Sequence, residues 1–150
     1  MMVVVDTPVW SLALRRSSGP TTSREPLAAE LQQLIEEGRV ALLGPIRQEI
    51  LSGLRDTRQL DELRSKLRAF PDVEISTTDY ETAASYYYTC GANGVQGSHT
   101  DFLICAVASA RGHSVFTTDV DFARYARFVP VALHEVKRSH RPPDTLPGRP

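Results

Sequence analysis

An α/β sandwich, three layers built on a mostly parallel sheet of about five strands, is the fold that three features of this sequence predict. An unbroken β-branched run, Met2-Val3-Val4-Val5, stops at Asp6, the pattern of a strand buried on both faces. Segments of helical periodicity then alternate with short apolar runs along the chain. Glycines and prolines punctuate the junctions, and right-handed crossovers place helices on both faces of such a sheet.

A first helix follows Asp6 and carries Trp10. From Pro26 through Glu37 the positions Leu27, Leu31, Leu34 and Ile35 keep helical spacing, and Gly38 supplies a stop. Val40 to Leu43 reads as a second strand. Gly44-Pro45 opens a helix with Ile46, Ile50, Leu51 and Leu54 on one side and Glu49 inside it. A helix from about Gln59 to Phe70 is closed by Pro71, before a predicted strand from Val73 to Thr77. Thr78 is the expected cap of a helix through about Thr89, and Gly91, Gly94 and Gly97 mark a polar loop. Thr100 is the expected cap for Asp101 to Arg111, a buried helix because Phe102 to Ala108 is wholly apolar. A strand from Ser114 to Thr117 breaks at Asp119, a short helix covers Phe122 to Arg127, and Phe128 to Leu133 is the last strand.

The 150 residues, 41% of them hydrophobic, suffice for one core, so residues 1–136 are read as one domain. Residues 137–150 form a Pro/Arg-rich tail, expected to be flexible, with four prolines between His140 and Pro150. Seventeen basic and eighteen acidic side chains nearly cancel, which excludes a strongly cationic surface for nucleic acid or membrane. Cys90 and Cys105 fit neither a zinc spacing nor a disulfide framework. The opening apolar run is cut by Asp6 before a signal-peptide core is complete, so a cytoplasmic protein without membrane contact is expected.

In a parallel sheet the ligand site lies outside the carboxyl ends of the strands. Asp6 and Asp119 each stand just past a strand, and Asp101 begins a helix that leads back into one, so the three share a rim. Glu49, one turn into its helix, is close enough to lean in. Four carboxylates within a few ångströms push one another's pKa upward unless a cation compensates them. All-oxygen ligation favours Mg²⁺ or Mn²⁺, whereas Zn²⁺ would favour His and Cys ligands that this cluster lacks. Such a cluster is built for phosphoryl chemistry, which makes nucleic acid the natural substrate class. Taken singly, each Asp is ordinary cap or strand-end punctuation and Glu49 an ordinary solvated helix residue. Only their joint placement argues for a site.

Four segments resemble the PIN domain, most closely the VapC-type toxins of prokaryotic toxin–antitoxin pairs. They are Val3-Val4-Val5-Asp6-Thr7-Pro8-Val9-Trp10, Arg47-Gln48-Glu49-Ile50-Leu51-Ser52-Gly53, Thr100-Asp101-Phe102-Leu103-Ile104-Cys105-Ala106 and Phe116-Thr117-Thr118-Asp119-Val120-Asp121-Phe122. The resemblance implies a Mg²⁺- or Mn²⁺-dependent endoribonuclease, a cognate VapB-like antitoxin, an RNA substrate and a homodimer. It places the metal-binding acids on Asp6, Glu49, Asp101 and Asp119, with Asp121 a less uniform fifth and Thr117 the hydroxyl that orients the site. Asp121 ranks above Thr117 at this point, although the one could simply cap a helix and the other end a strand.

Many relatives of this type place an arginine just before the glycine-containing loop, and around Cys90-Gly91-Ala92-Asn93-Gly94 this chain has none. His99 is close to Asp101 in sequence, and Arg15 with Arg16 are candidates for an RNA rim. Tyr86-Tyr87-Tyr88 invites base stacking, but three consecutive helix positions cannot share a face, so at least one belongs to the core. Trp10 is expected to pack or meet a partner. The stripe Leu27, Leu31, Leu34, Ile35 serves either the core or a groove for an antitoxin helix.

The leading expectation is in-line attack of an activated water on RNA, leaving a 5′-phosphate and a 3′-hydroxyl without a covalent enzyme intermediate. A phosphate receiver or phosphatase on a similar sheet is disfavoured, because Thr7-Pro8 rather than a second acid follows Asp6 and neither Lys66 nor Lys137 ends a core strand. A housekeeping RNA-processing nuclease and a non-catalytic RNA- or protein-binding module on the same fold are the alternatives.

Overall fold

In a computed structural model, which describes residues 1–14 and 25–136, the opening valines form β1 (Val3–Val5), every one of them fully buried. β1 pairs in parallel on both edges, with β2 (Val40–Ala41) through Val3↔Val40 and with β3 (Ser114–Phe116) through Val3↔Ser114. β4 (Ala132–Leu133) adds in parallel to β3, giving the order β2-β1-β3-β4. Strands with neighbours on both edges and helices across both faces have no wet side, which is why β1 has no polar alternation.

The expected sheet of about five strands is thus one of four, and the missing member is Val73 to Thr77. Only a single parallel bridge, Leu42↔Asp72, survives at that edge. β2 cannot extend to meet a longer partner, because the chain turns into α3 (Gly44–Ser52) two residues after Leu42. Further along, the Glu74 carbonyl accepts from the Arg111 guanidinium at 2.6 Å, and Ser76 already caps the next helix. The last strand is shorter than predicted for a related reason. The N–H groups of Phe128 and Val129 turn back to the Tyr125 carbonyl, and Pro130 has no N–H to give.

The helices fall into two sets. α1 (Thr7–Leu14) packs against α2 (Glu25–Glu36) and α3, and α3 against α4 (Thr57–Leu67). On the other side α5 (Thr77–Ala92) packs on α6 (His99–Ala110), and α6 on β1 and β3. Lying between a helix and the sheet, α6 buries all of Phe102 to Ala108, which accounts for its unbroken apolar sequence. A short α7 (Asp121–Tyr125) links β3 to β4. Leu31 and Leu34 belong to the core, with Leu27 and Ile35 half-buried against it. Removing a side chain such as Leu34 from water contributes about 2 kcal/mol.

Three helix starts lie earlier than the sequence suggests, each for a local reason. Asp56 caps α4 by accepting the Arg58 N–H at 2.9 Å. Ser76, not Thr78, caps α5, and Asp79 reciprocates by accepting the Ser76 N–H at 2.8 Å in a capping box. α6 is capped by Ser98, since Thr100 is already inside the helix. α5 also continues through Gly91 to Ala92, so the polar loop shrinks to the residues from Asn93 to Ser98, with Gly94 at φ 75°. Its neighbour Gly91 is simply an exposed helix residue. Arg15, Arg16 and the tail 137–150 lie outside the described residues. Among those described, no helix is long and apolar enough to cross a membrane.

Candidate active site

Because β1 and β3 are adjacent and in register, the residues that follow them meet. The Asp6 N–H extends the ladder by donating to the Phe116 carbonyl at 2.9 Å, and the Asp6 carbonyl accepts from Val9, starting α1. Next along from Phe116, Thr117 Oγ1 donates to Asp6 Oδ2 at 2.8 Å and accepts from the Asp119 N–H at 3.0 Å. Asp6 Oδ1 accepts the Thr7 N–H at 2.9 Å. The chain also reverses here, since β1 leads outward to β2 and the later crossover returns to β3 on the opposite edge of β1. This is the switch point at which open parallel sheets take their ligands.

Two helices bring the remaining acids. Glu49, exposed on α3, accepts from Thr7 Oγ1 at 2.6 Å through Oε2. Asp101 is in the first turn of α6, its N–H on Ser98 Oγ at 3.1 Å and its Oδ2 accepting the Tyr125 hydroxyl at 2.7 Å. Asp6, Glu49, Asp101 and Asp119 line one cavity of about 540 Å³, together with Thr7, Pro8, Ser11, Leu12 and Thr118. Asp121 is not among the lining residues. It opens α7, faces Arg124 at 3.7 Å and gives its N–H to Asp119 Oδ1 at 2.9 Å. Thr117, also outside the lining, bridges Asp6 and Asp119 through its hydroxyl, and Asp121 is tied to Asp119 through its backbone N–H.

Burial is the main force holding the Asp6 carboxyl above its ordinary range, and Asp101 and Glu49 add to it. The hydrogen bonds from Thr117 and Thr7 work against the rise. Asp101 is raised likewise by burial and by Asp119, against the bonds from Tyr125 and Ser98. The carboxylates therefore sense one another, although burial rather than their mutual repulsion is the larger cause. The donor set is wholly oxygen and anionic, and fits a hard divalent ion. The acids are nevertheless less tightly drawn than expected. Among the described residues no three His, Cys, Asp or Glu side chains close into a group able to hold a metal ion. Each acid is instead held by a hydroxyl or N–H of the chain, an arrangement that suits an ion retaining several of its own waters.

Thr7, Ser98 and Tyr125 escape the sequence reading. Thr7 adjoins Asp6, and a hydroxyl beside a strand-end acid is a usable signal. Tyr125 is 24 positions from Asp101, and nothing local announces it. The tyrosine run divides as helix geometry requires. Tyr86 is half-buried with its hydroxyl 3.2 Å from Ser109 Oγ, whereas Tyr87 and Tyr88 are exposed. His99 is exposed outside the cavity lining and stacks on Tyr87 with centroids 5.3 Å apart. Trp10 is core: its Nε1 donates to the Val5 carbonyl at 3.1 Å and its ring meets the ring of Phe70 edge-on. Both cysteines are buried and free, and burial pushes the Cys105 thiol up to about 12.

A family model described as PIN domain matches residues 3–128, a stretch that contains all four lining acids. VapC ribonuclease Mb1587 of Mycobacterium bovis is 30% identical over 130 residues, spanning 84% of this chain and 92% of its own. Ribonuclease VapC11 of Mycobacterium tuberculosis matches to the same extent. Among solved structures, FitAcB from Neisseria gonorrhoeae superposes with a TM-score of 0.68 at 22% identity, over 89% of this chain and 97% of that one. VapBC2 from Rickettsia felis, solved with a DNA fragment from its promoter, gives 0.70 at 16% identity, over 89% and 98%. These two share the parallel sheet and its flanking helices. By the extent of the family match and the identity to the mycobacterial proteins, the chain belongs to the PIN-domain family, in its VapC branch.

Proposed function

We propose that this protein is a metal-dependent endoribonuclease, the toxin of a VapBC-like toxin–antitoxin pair, with Mg²⁺ or Mn²⁺ held by Asp6, Glu49, Asp101 and Asp119. The observation that carries the reading is the arrival of these four acids, from four separate segments, in one cavity at the switch point of the sheet. When bound, a divalent cation there supplies the charge that activates water and offsets the negative charge developing on an attacked phosphate. The chain's own part is orientation. Thr117 sets Asp6 against Asp119, Thr7 sets Asp6 against Glu49, and Tyr125 holds Asp101. Pro8 and Leu12 give the cavity an apolar wall beside the acids. Asp121, whose N–H holds Asp119 Oδ1, is the fifth and less uniform candidate for the ion.

RNA is the proposed substrate, from the names of the VapC relatives. A VapB-like antitoxin is the proposed partner, from the VapBC2 and FitAB neighbours, and a homodimer is proposed with it. The test is cleavage of RNA by antitoxin-free protein with Mg²⁺, with Mn²⁺ and with chelator, beside Asp6→Asn, followed by mapping of the product ends. The expected result is metal-dependent cleavage lost in the variant, leaving 5′-phosphates and 3′-hydroxyls. Cleavage that survives chelation and leaves cyclic phosphates would refute the assignment.

A further inference from the structure

We propose that Tyr125 is a positioning residue for the acidic site: its hydroxyl, in space kept open by Gly97, fixes the direction in which Asp101 presents its carboxylate to a divalent ion. The inference rests on the reading of Asp101 as an acid that holds the ion.

Three observations carry it. Tyr125 is fully buried, and a buried phenol needs a hydrogen-bond partner; its partner is Asp101 Oδ2 at 2.7 Å. The buried ring packs against Phe102, at a centroid distance of 4.9 Å and tilted, and against Phe122, edge-on at 5.2 Å, which restricts where the hydroxyl can go. A carboxylate turns freely about its last torsion unless one oxygen is held. Holding Oδ2 therefore gives the other oxygen a single direction.

Gly97 is the third observation. Its φ is not in the left-handed region, so glycine is not required there for backbone conformation. What it supplies is space. A Cβ at this position would lie 2.7 Å from Cζ and 2.9 Å from Cε1 of Tyr125, and closer still to the hydroxyl. Because the ring is fully buried and packed against Phe102 and Phe122, an alanine at 97 is expected to move the hydroxyl off Asp101. The same bond joins α6 to α7, the helix that follows the Asp119 loop.

The test is Mn²⁺ binding measured by titration calorimetry without RNA, beside thermal melting, for the parent protein and for Tyr125→Phe, Gly97→Ala, their double variant and Asp101→Asn. Tyr125→Phe keeps the ring and removes only the donor. It is expected to melt cooperatively and to bind Mn²⁺ about tenfold more weakly, the usual effect of losing a partner behind a metal ligand. Gly97→Ala is expected to do the same, and the double variant to be no weaker than the worse single, since both act through one bond. Multiplied losses in the double variant, or Mn²⁺ affinity in Tyr125→Phe equal to the parent's, would overturn the inference. Asp101→Asn separates the two levels. If it loses Mn²⁺ while Tyr125→Phe keeps it, positioning alone is wrong; if it binds as the parent does, the acid assignment fails as well.

Discussion

Thr117 Oγ1 donates to Asp6 Oδ2 across 2.8 Å although 111 positions separate the two residues in the chain. The same hydroxyl accepts the Asp119 N–H, so one atom couples the end of β1 to the loop after β3. Thr117→Val keeps the shape and removes that coupling. Cleavage is expected to fall by roughly ten- to a hundredfold, while stability changes by about 1 kcal/mol. Parallel rate and urea-unfolding measurements check this; an unchanged rate would make Thr117 a strand end and nothing more.

Asp6→Asn is expected to abolish cleavage and yet to raise the melting temperature of the chelated protein at neutral pH. Burial lifts the folded pKa of Asp6 above its unfolded 3.8, with Asp101 and Glu49 adding to the rise. A carboxyl shifted upward favours the fold below its unfolded pKa and loses that advantage as pH rises through the folded value. At neutral pH the full cost is present, and the amide does not carry it. Asn keeps an oxygen for the Thr7 N–H, but its NH₂ cannot accept from Thr117 Oγ1 as Oδ2 does, which offsets part of the gain. Melting in chelator across pH should show the gap between variant and parent shrinking as the pH falls toward 3.8.

Asp79 behaves in the opposite sense. The Arg111 guanidinium, with Nη2 at 2.8 Å, outweighs burial and holds this carboxyl at about 2. A depressed pKa gives stability that is present above the unfolded value and lost as pH falls through the folded one. Asp79→Asn is therefore expected to cost about 1 to 2 kcal/mol at neutral pH. The difference from the parent should close as the pH falls from 3.8 toward about 2. Chemical unfolding over that range decides it.

Ser98→Ala removes the cap of α6, whose oxygen accepts the Asp101 N–H. A loss of about 1 kcal/mol is expected. Thr100→Ala should leave stability within about 0.5 kcal/mol, because Thr100 is already helical and makes no cap. The reverse ranking in thermal melts would restore the cap that the sequence suggested.

Much of the fold was legible where local pattern and tertiary role coincide. The three valines before Asp6 and the apolar run of α6 are buried on all sides, so their lack of alternation announces their place. Val73 to Thr77 misled because β-branched residues with suitable alternation need a partner strand, and the chain beside them had already turned into α3. Helix starts misled by two residues because several capping side chains, hydroxyls or a carboxylate, compete near each start. Which one wins depends on an extended backbone at that position, as at Ser98 and Ser76.

Residue type and periodicity were enough to single out Asp6, Glu49, Asp101 and Asp119 as candidates and to place Asp6 and Asp119 past strands, Asp101 at a helix start and Glu49 inside a helix. The sequence by itself also sufficed to place the chain among PIN domains. Tertiary structure alone decided how the acids are held: by Thr117 across adjacent parallel strands, by Thr7 between α1 and α3, and by Tyr125 between α7 and α6. These bonds join residues whose separation in the chain carries no signal. Their existence depends on strand order and on ångström-scale packing, such as the space a glycine leaves for a ring, and no spacing rule encodes either.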